Sequence, residues 1–482
     1  MSKPRVAINL ALLTFAALAV HGYHPYAEDA EIYLPGVEKI LQPKLFPVDT
    51  EFFQSHANLT LFPHLIAWSV RLSHLPFNYA LFAWQLASIF LLLLGAWQLT
   101  GNLFASERAR WGAVALLAAL LTMPVAGTAL YIVDQYVNPR NLAAFIALFA
   151  IAAVLEGKLA RAGVWLVVGL AIHPLMGSFP VVLAFLLLVS KRFEREPLAM
   201  AAVLPFGDLF VRPTPAYHQA MRFHISHYML QWQWYEWLGA VAPAVILWWM
   251  MHFARQRKLV NLARLCRALV IYNLLYFAAA LVISIPKQFE AFARVQPLRS
   301  LHLLYMLLIL TGGGLIAEHV LKARLWRWLL VFLPLCGGMF YAQRQLFPAS
   351  AHVEWPWSTS KNPWAQAFIW IRQNTPLDAI VALDPNFMGI PGEDSIGFRA
   401  LAQRSRLADN HKDSGAVSMF PPLAGQWWKQ YQAQVNWKQF GASDFLRLKQ
   451  EYGVSWVALQ QPGLPVLACP YQNGAVTVCR LN

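Results

Sequence analysis

The chain has 482 residues, of which 58% are hydrophobic and only 13% are charged. Soluble proteins carry about 25% charged residues, so this composition excludes a chain made only of soluble domains. The net charge of +14 could suggest a nucleic-acid partner, but most of the excess lies in short loops between long apolar segments. The positive-inside rule explains basic loops of that kind. The composition therefore predicts a polytopic membrane protein with no nucleic-acid partner.

The long apolar segments predict about eleven membrane-crossing helices, because about 20 apolar residues span the hydrocarbon core. The first, at 5–22, is interpreted as an uncleaved anchor. The other candidates, in chain order, are 78–101, 111–130, 139–157, the short pair 163–172 and 174–190, 198–211, 238–253, 268–286, 300–317 and 327–343. Basic residues concentrated in alternate loops predict a cytoplasmic N-terminus and an extracytoplasmic C-terminus.

An acidic outer loop, residues 23–76, follows the anchor and begins with the pair Glu28 and Asp29. These carboxylates could simply favour the start of a helix at Ala30. The functional alternative is a general base that takes a proton from an acceptor hydroxyl. Neighbouring helical positions differ by about 100°, so the pair would not share one role, and which carboxylate is the base stays open. Residues 59–74 predict an amphipathic helix on the membrane surface.

Cationic side chains near the outer ends of later helices are candidates for binding an anion. They are Arg140, Lys287, Arg294 and Arg299. Arginine suits a phosphate because its planar guanidinium can donate to two oxygens at once. The alternative interpretation is that these side chains snorkel, or pair with Asp134 or Glu290.

His173 and Pro174 separate two short apolar halves and predict a broken, re-entrant pair of helices. An ionisable side chain at that depth is a candidate to contact a phosphate or a divalent ion, and a hydrogen-bonded histidine that fills a kink is the alternative. The other histidines near Asp29 match no spacing typical of metal ligands. No metal ligand is assigned, and the cofactor stays open, with a divalent cation as one option.

From residue 344 to 482 the composition becomes that of a soluble α/β domain. Helices are predicted from Asn362-Pro363, at 426–439, and at 443–452 with Ser443 as N-cap; strands are predicted at 379–383 and 454–459, and a hairpin at 464–480. Cys469 and Cys479 flank the hairpin turn, and a disulfide between them fits an extracytoplasmic location. The predicted fold is thus mainly α, with a membrane helical bundle at 1–343 and a C-terminal extracytoplasmic α/β domain at 344–482.

Several segments resemble the GT-C class of integral-membrane glycosyltransferases, in particular bacterial relatives of the protein O-mannosyltransferases and of the aminoarabinose and oligosaccharyl transferases. They are AEDAEIYLPGVEKILQPKLFP at 27–47, NPRNLAAF at 138–145, His173-Pro174, QPLRSLHLL at 296–304, WIRQNTPLDAIVALDP at 370–385 and FRALAQRSRLAD at 398–409. The resemblance implies a multi-pass protein of the bacterial plasma membrane, with a sugar on polyprenyl phosphate as donor. It also implies Asp29 as base, with inversion at the sugar carbon. The acceptor stays unknown, and the C-terminal domain is expected to shape acceptor access rather than to supply chemistry.

Two other classes of function remain open at this stage. One is a transporter or flippase for a lipid or an anion, which internal repeats and paired broken helices would indicate. The sequence shows one broken segment and no second copy, which favours the enzyme. The other is a membrane protein without catalytic activity.

Overall fold

The structure is a computed structural model that describes residues 2–192, 213–284 and 292–481. Up to residue 346 its described α-helices are α1 Lys3–His21, α2 Ala30–Leu41, α3 Glu51–Ala57, α4 Phe62–Ser73, α5 Phe77–Gly101, α6 Glu107–Ala119, α7 Pro139–Leu155, α8 Leu159–Ile172, α9 Pro174–Arg192, α10 Pro215–Met221, α11 Trp234–Gln256, α12 Val260–Ser284, α13 Leu301–Ile316 and α14 Leu325–Leu346. The chain is a multi-pass membrane protein. Within the described residues, six helical segments are long and apolar enough to cross a membrane: α1, α5, α11, α12, the segment Phe292–Leu321 that contains α13, and α14.

Shorter apolar helices, among them α7 and α8, lie between these spans. The predicted crossing at 198–211 lies outside the described residues, so the total of about eleven stays a prediction. Every residue of α7 is buried, which is typical of a helix that is hydrophobic all round and lies at the centre of a bundle. In α14, by contrast, Leu330 and Leu333 are exposed, as expected for a helix that faces lipid.

The predicted crossing at 111–130 is wrong in its second half. Helix α6 ends at Ala119, and the chain then folds back on itself, with Val125 N–H donating to Leu130 O at 2.8 Å. Pro124 disfavours helical backbone at the residue before it, which gives a local reason for the early end. The returning segment leads to Asp134 and the start of α7.

The acidic loop forms three helices, α2 to α4, that pack over the membrane bundle. Helix α4 covers most of the predicted amphipathic segment and buries Phe62 and Ile66 while Trp68 and Leu72 stay exposed. The amphipathic helix at 59–74 is thereby confirmed. Its orientation in a membrane stays a prediction.

After α14, which extends three residues beyond the predicted boundary at 343, the C-terminal α/β region (residues 347–481) begins; the domain boundary itself stays a prediction. This region contains α15 Pro363–Asn374, α16 Phe398–Ala402, α17 Asp413–Met419, α18 Ala424–Ala433 and α19 Ala442–Tyr452, and the strands β1 Ile380–Leu383, β2 Ser405–Arg406, β3 Trp456–Gln460, β4 Ala468–Gln472 and β5 Val476–Arg480. The sheet order is β2-β1-β3-β5-β4. Strands β2, β1 and β3 are parallel, and β5 and β4 form the predicted antiparallel hairpin. A disulfide joins Cys469 to Cys479.

Successive side chains of a strand point to opposite faces of the sheet, and helices cover both faces of this one. Val381 and Leu383 of β1 pack in the core that includes α15, whereas Ala382 packs with Phe445 and Leu448 of α19. Helix α15 begins as predicted, because Asn362 Oδ1 accepts the N–H groups of the first turn at 2.9 and 3.1 Å. The prediction of Ser443 as N-cap is wrong, since α19 begins one residue earlier, after Gly441.

The C-terminal region docks on the first residues of the acidic loop through backbone contacts. The N–H of Tyr23 donates to His352 O at 3.0 Å, and the N–H of Gly397 donates to Tyr26 O at 2.7 Å. Gly22, between α1 and Tyr23, has a φ of +80°, and a Cβ added there would lie 2.5 Å from His352 O. Only glycine fits this position without strain. The junction of the two parts lies directly beside Glu28 and Asp29.

Candidate active site at the junction of the acidic loop and the C-terminal region

Glu28 and Asp29 lie in the short connection between α1 and α2, where neighbouring segments hold their backbone. Glu28 has a φ of +52°, which is uncommon for a residue with a side chain, and its N–H donates to Ser395 O at 2.7 Å. The N–H of Asp29 donates to Tyr136 Oη at 3.2 Å. Asp29 precedes α2, but its side chain makes no hydrogen bond that caps the helix. The side chain of Asp29 therefore does not cap α2 through a hydrogen bond.

Each carboxylate oxygen of Asp29 contacts a cation. Oδ2 accepts from Arg140 Nη1 at 2.6 Å, and Oδ1 accepts from Lys412 Nζ at 2.8 Å. Burial would raise the pKa of Asp29, but the attraction of Lys412 and Arg140 outweighs it and holds that pKa well below its usual range. Asp29 is therefore ionised at physiological pH and holds a proton only weakly.

Arg140, in the first turn of α7, is shared between two carboxylates. Besides its bond to Asp29, it donates from Nη2 and Nε to Asp134 Oδ2 at 2.9 and 3.3 Å. Asn138, the N-cap of α7, donates to the same oxygen of Asp134 at 2.6 Å. The pairing with Asp134 that the sequence offered as an alternative is thus present. Arg140 is consequently a fixed link between two carboxylates rather than a free cation.

Lys412 comes from the C-terminal region and bridges the acidic pair. Its Nζ lies 2.6 Å from Glu28 Oε2 and 2.8 Å from Asp29 Oδ1, and its side chain is only 13% exposed. Burial would lower the pKa of Lys412, but Asp29 and Glu28 together raise it above its usual value. The expectation that the C-terminal region only shapes acceptor access is therefore incomplete, because it contributes a cation to the pair.

Behind Lys412 lies a cluster of buried charged side chains that joins the C-terminal region to α2. Arg399 Nη1 lies 3.2 Å from Glu31 Oε1 and 2.9 Å from Asp413 Oδ1, and Arg406 pairs with Asp409. Burial raises the pKa of Glu31 to about 7, although Arg406 and Arg399 oppose the shift. Asp409 Oδ1 also accepts the backbone N–H of Lys412 at 2.7 Å. The cluster therefore fixes the segment that carries Lys412.

The acidic pair opens onto a cavity of about 460 Å³ between the membrane bundle and the C-terminal region. Its walls include Glu28, Asp29, Arg140, His173, Arg299 and Lys412. Arg299 lies in the one-turn helix Pro297–Ser300 that leads into α13. Its guanidinium forms no hydrogen bond or ion pair with any residue that the structure describes. The cavity thus contains the ionised carboxylate of Asp29 and a cation that is free to bind an anion.

Histidine rings form much of the remaining polar wall, from His56, His173, His224 and His227. Across the described residues, His56 Nδ1, His173 Nε2 and His227 Nδ1 are buried without a hydrogen-bond partner. Burial lowers the pKa of His56 and of His224 to about 4, so both rings are neutral at pH 7. A neutral imidazole offers one donor and one acceptor. The wall can therefore hydrogen-bond a polar ligand without adding charge.

His173 fills the break between α8 and α9 and also lines the cavity. Its Nδ1 accepts the N–H of Met176 at 3.4 Å, which satisfies the break between α8 and α9. Its Nε2, which lacks a partner, belongs to the side chain that lines the cavity. The kink-filling role is thereby present, and contact with a ligand stays a proposal.

The side chains around the acidic pair do not fit a divalent metal ion as they are arranged. Both oxygens of Asp29 already accept from cationic donors, and the same lysine occupies Glu28 Oε2. Among the described residues there is no group of three or more His, Cys, Asp or Glu side chains that could hold such an ion. No step is therefore assigned to a metal.

The sequence-predicted site residues separate into three groups. Glu28, Asp29, Arg140, His173 and Arg299 line one cavity. Arg294 is described but is not part of the wall, and Lys287 lies outside the described residues. Sequence reasoning missed Lys412, which follows closely after the resembling segment at 398–409. It also missed His224 and His227.

Neither protein-family models nor curated proteins match the sequence. Solved structures of an oligosaccharyltransferase from Archaeoglobus fulgidus do match the fold distantly. Its apo form has a TM-score of 0.46 and 11% identity, and the match covers 95% of this chain and 70% of that one. Its complex with Zn and sulfate has a TM-score of 0.45 and 12% identity, and the match covers 94% of this chain and 67% of that one. The archaeal oligosaccharyltransferase AglB from Archaeoglobus fulgidus, in complex with an inhibitory peptide and a dolichol-phosphate, has a TM-score of 0.46 and 11% identity. That match covers 95% of this chain and 70% of that one. All three matches are distant, with TM-scores below 0.5 and identities of 11–12%.

Proposed function

We propose that the chain is a GT-C-type glycosyltransferase that transfers a sugar from a polyprenyl-phosphate donor to an acceptor outside the cytoplasm. The observation that carries this proposal is the cavity that ionised Asp29 and unpaired Arg299 share. Anionic leaving groups need a fixed cation, and acceptor hydroxyls need a carboxylate. Both requirements are met at the ends of membrane helices, where a lipid-linked donor can reach them.

In this proposal the donor phosphate binds to Arg299. A guanidinium without a protein partner can donate two parallel hydrogen bonds to phosphate oxygens. His173 Nε2 lines the same cavity without a partner and can donate a further hydrogen bond. Arg140 is less suited to this role, because two carboxylates already occupy its guanidinium.

The acidic pair would receive the proton of the acceptor hydroxyl. The sequence placed Asp29 first, but with Arg140 and Lys412 on its two oxygens Asp29 is a poor proton acceptor. Only Oε2 of Glu28 accepts a hydrogen bond, from Lys412 Nζ; its Oε1 forms no hydrogen bond with any of the described residues. We therefore assign to Glu28 the role of accepting the proton. Asp29 is assigned the role of holding Arg140 and Lys412 in position.

The transfer step then balances as a single displacement. The acceptor oxygen forms a bond to the anomeric carbon while the bond from that carbon to the phosphate oxygen breaks. The electron pair leaves with the phosphate, whose charge Arg299 stabilises, and the acceptor proton moves to Glu28 Oε1. Attack from the face opposite the leaving phosphate inverts the anomeric configuration.

Arg299→Ala, with Arg294→Ala as a matched control, tests the proposal. Both arginines lie in the segment before α13, but only Arg299 lines the cavity. The purified protein in nanodiscs is given short-chain polyprenyl-phosphate hexoses, and both donor binding and the slow release of sugar to water are measured. A lost hydrogen bond to a charged group weakens binding by about tenfold to a hundredfold, so Arg299→Ala should bind the donor that much more weakly.

Arg294→Ala should behave as the unaltered protein. Equal effects of the two variants, or donor binding that neither changes, would refute the assignment of Arg299. Transfer of an intact labelled lipid across the membrane without release of sugar would instead support the transporter.

A further inference from the structure

A second cavity, of about 230 Å³, lies in the C-terminal α/β region, away from the acidic pair. It opens at the carboxyl ends of two adjacent parallel strands. Asp384 follows β1 directly, and Gln461 follows β3 directly; both line the cavity. The connection that leaves β1 goes to β2 on one side, whereas β3 lies on the other side. Clefts at such a switch point are where open α/β sheets bind ligands.

The polar side chains of this cleft have free hydrogen-bonding capacity. Asp384 is 9% exposed; its Oδ1 accepts the N–H of Asn386 at 2.8 Å, and within the described chain its Oδ2 accepts no hydrogen bond. The side chain of Gln460 is exposed and likewise has no hydrogen-bond partner among the described residues. A carboxylate accepts hydroxyl protons, and an amide both donates and accepts. The cleft is therefore equipped for a ligand with several hydroxyl groups.

Aromatic rings form the apolar part of the same cleft. Trp437 and Phe440 line it and are only partly buried, with their ring centroids 5.3 Å apart. Partly exposed rings offer flat apolar surface beside polar groups. The C–H faces of a sugar ring match this combination of a flat apolar wall and convergent polar atoms.

The cleft is not built for a phosphate or a nucleotide. The first amides of α15, which begins beside it, are already capped by Asn362, so this helix N-terminus offers no anion site. The ionisable lining consists of Asp384 and Lys438, whose opposite charges leave no excess of positive charge. A neutral ligand is favoured.

The loop after β1 connects this cleft to the first cavity. The N–H of Asn410 donates to Pro385 O at 3.1 Å, and the side chains of Asn410 and Asn386 are hydrogen-bonded to each other. Asn410 itself lines the cavity of the acidic pair. We propose that the cleft binds a neutral saccharide, and that this saccharide is part of the acceptor. The acceptor role rests on the proposed glycosyltransferase function, whereas saccharide binding does not.

Binding of methyl glycosides of neutral hexoses and N-acetylhexosamines to the full-length protein in nanodiscs tests the proposal. Saturation-transfer difference NMR measures binding without donor or turnover, so a failure of the transferase function leaves this result interpretable. Gln460→Ala and Asp384→Asn should weaken binding by about tenfold each, as expected for one lost hydrogen bond. Gln432→Ala, an exposed glutamine of α18 outside the cleft, should leave it unchanged.

Gln460 is exposed, so Gln460→Ala should not unfold the protein. If Asp384→Asn is unstable, glycoside binding by Gln460→Ala alone tests the proposal. Three results would overturn the proposal: no glycoside binds, the variants bind as tightly as the unaltered protein, or inorganic phosphate competes for the cleft.

Discussion

Replacement of Lys412 by methionine should loosen the C-terminal region from the acidic loop. The ammonium lies 2.8 Å from Asp29 Oδ1 and 2.6 Å from Glu28 Oε2. At an effective dielectric constant of about 20, unit charges 2.8 Å apart attract each other by about 6 kcal/mol. Desolvation of the lysine offsets several kcal/mol of that attraction. The Glu28 contact adds little, because its side chain is 41% exposed and screened by water.

The net loss on truncation is therefore about 3 kcal/mol, in the range measured when one partner of a buried pair is removed. It should appear as local opening rather than global unfolding, because the membrane bundle does not depend on this lysine. Hydrogen exchange of the amides in α17 and at the start of α2 should become roughly 100-fold faster in Lys412→Met. Donor turnover should fall in parallel, since Asp29 loses one of the two cations that keep it ionised.

Two further variants separate charge from side-chain volume. Lys412→Arg keeps a cation at the pair and should recover most of the exchange protection. Lys429→Met removes an exposed lysine of α18 and should have no effect on exchange. If Lys412→Met exchanges as slowly as the unaltered protein, or if Lys412→Arg exchanges as fast as Lys412→Met, the ion pair does not hold the junction.

Three more outcomes follow from the geometry of the site. Glu28→Gln should abolish transfer while donor binding persists, whereas Asp29→Asn should weaken both transfer and the docking measured by hydrogen exchange; equal exchange in the two variants would contradict this division of roles. Glu31 has its pKa raised from 4.5 to about 7, so the folded state holds its proton more tightly than the unfolded state. Its contribution, about 3 kcal/mol at most, is present below pH 4.5 and lost as the pH rises through 7, and Glu31→Gln should flatten that part of a stability-versus-pH curve. Gly22→Ala places a Cβ 2.5 Å from His352 O at a φ of +80°, and should destabilise docking by about 1–3 kcal/mol, seen as faster exchange at the N–H of Tyr23.

Much of the fold follows from local patterns in the sequence. The N-cap of α15 at Asn362, the strand β1 and the hairpin between Cys469 and Cys479 each depend on residues close together in the chain. The break at His173 likewise follows from the proline that comes after it. Where local signals conflict, as at Pro124 inside the apolar run 111–130, a count of apolar residues overestimates the helix.

The site itself depends on pairings that no local pattern encodes. Lys412 lies 383 residues from its partner Asp29, and its own neighbourhood reads as an ordinary polar loop. Arg294 and Arg299 both lie in the basic segment before a membrane helix, and only Arg299 falls within the segment 296–304 that resembles the GT-C class. The turn Pro297–Ser300 places Arg299 in the cavity wall, and only the three-dimensional arrangement separates the two.

The charge arrangement also explains why the C-terminal region and the membrane bundle need each other. Without Lys412, the carboxylates Glu28 and Asp29 would lie side by side with Arg140 as their nearest cation, and like charges at that distance disfavour ionisation of both. Without Glu31 on α2, Arg399 and Arg406 would be buried with fewer carboxylates than they now contact. Each part thus supplies charges that pair with buried charges of the other. The contacts of Glu28 and Asp29 with Lys412 therefore exist only when the two parts are docked. A substrate that enters the cavity between them would meet an acidic pair bridged by Lys412 only when the C-terminal region is in place.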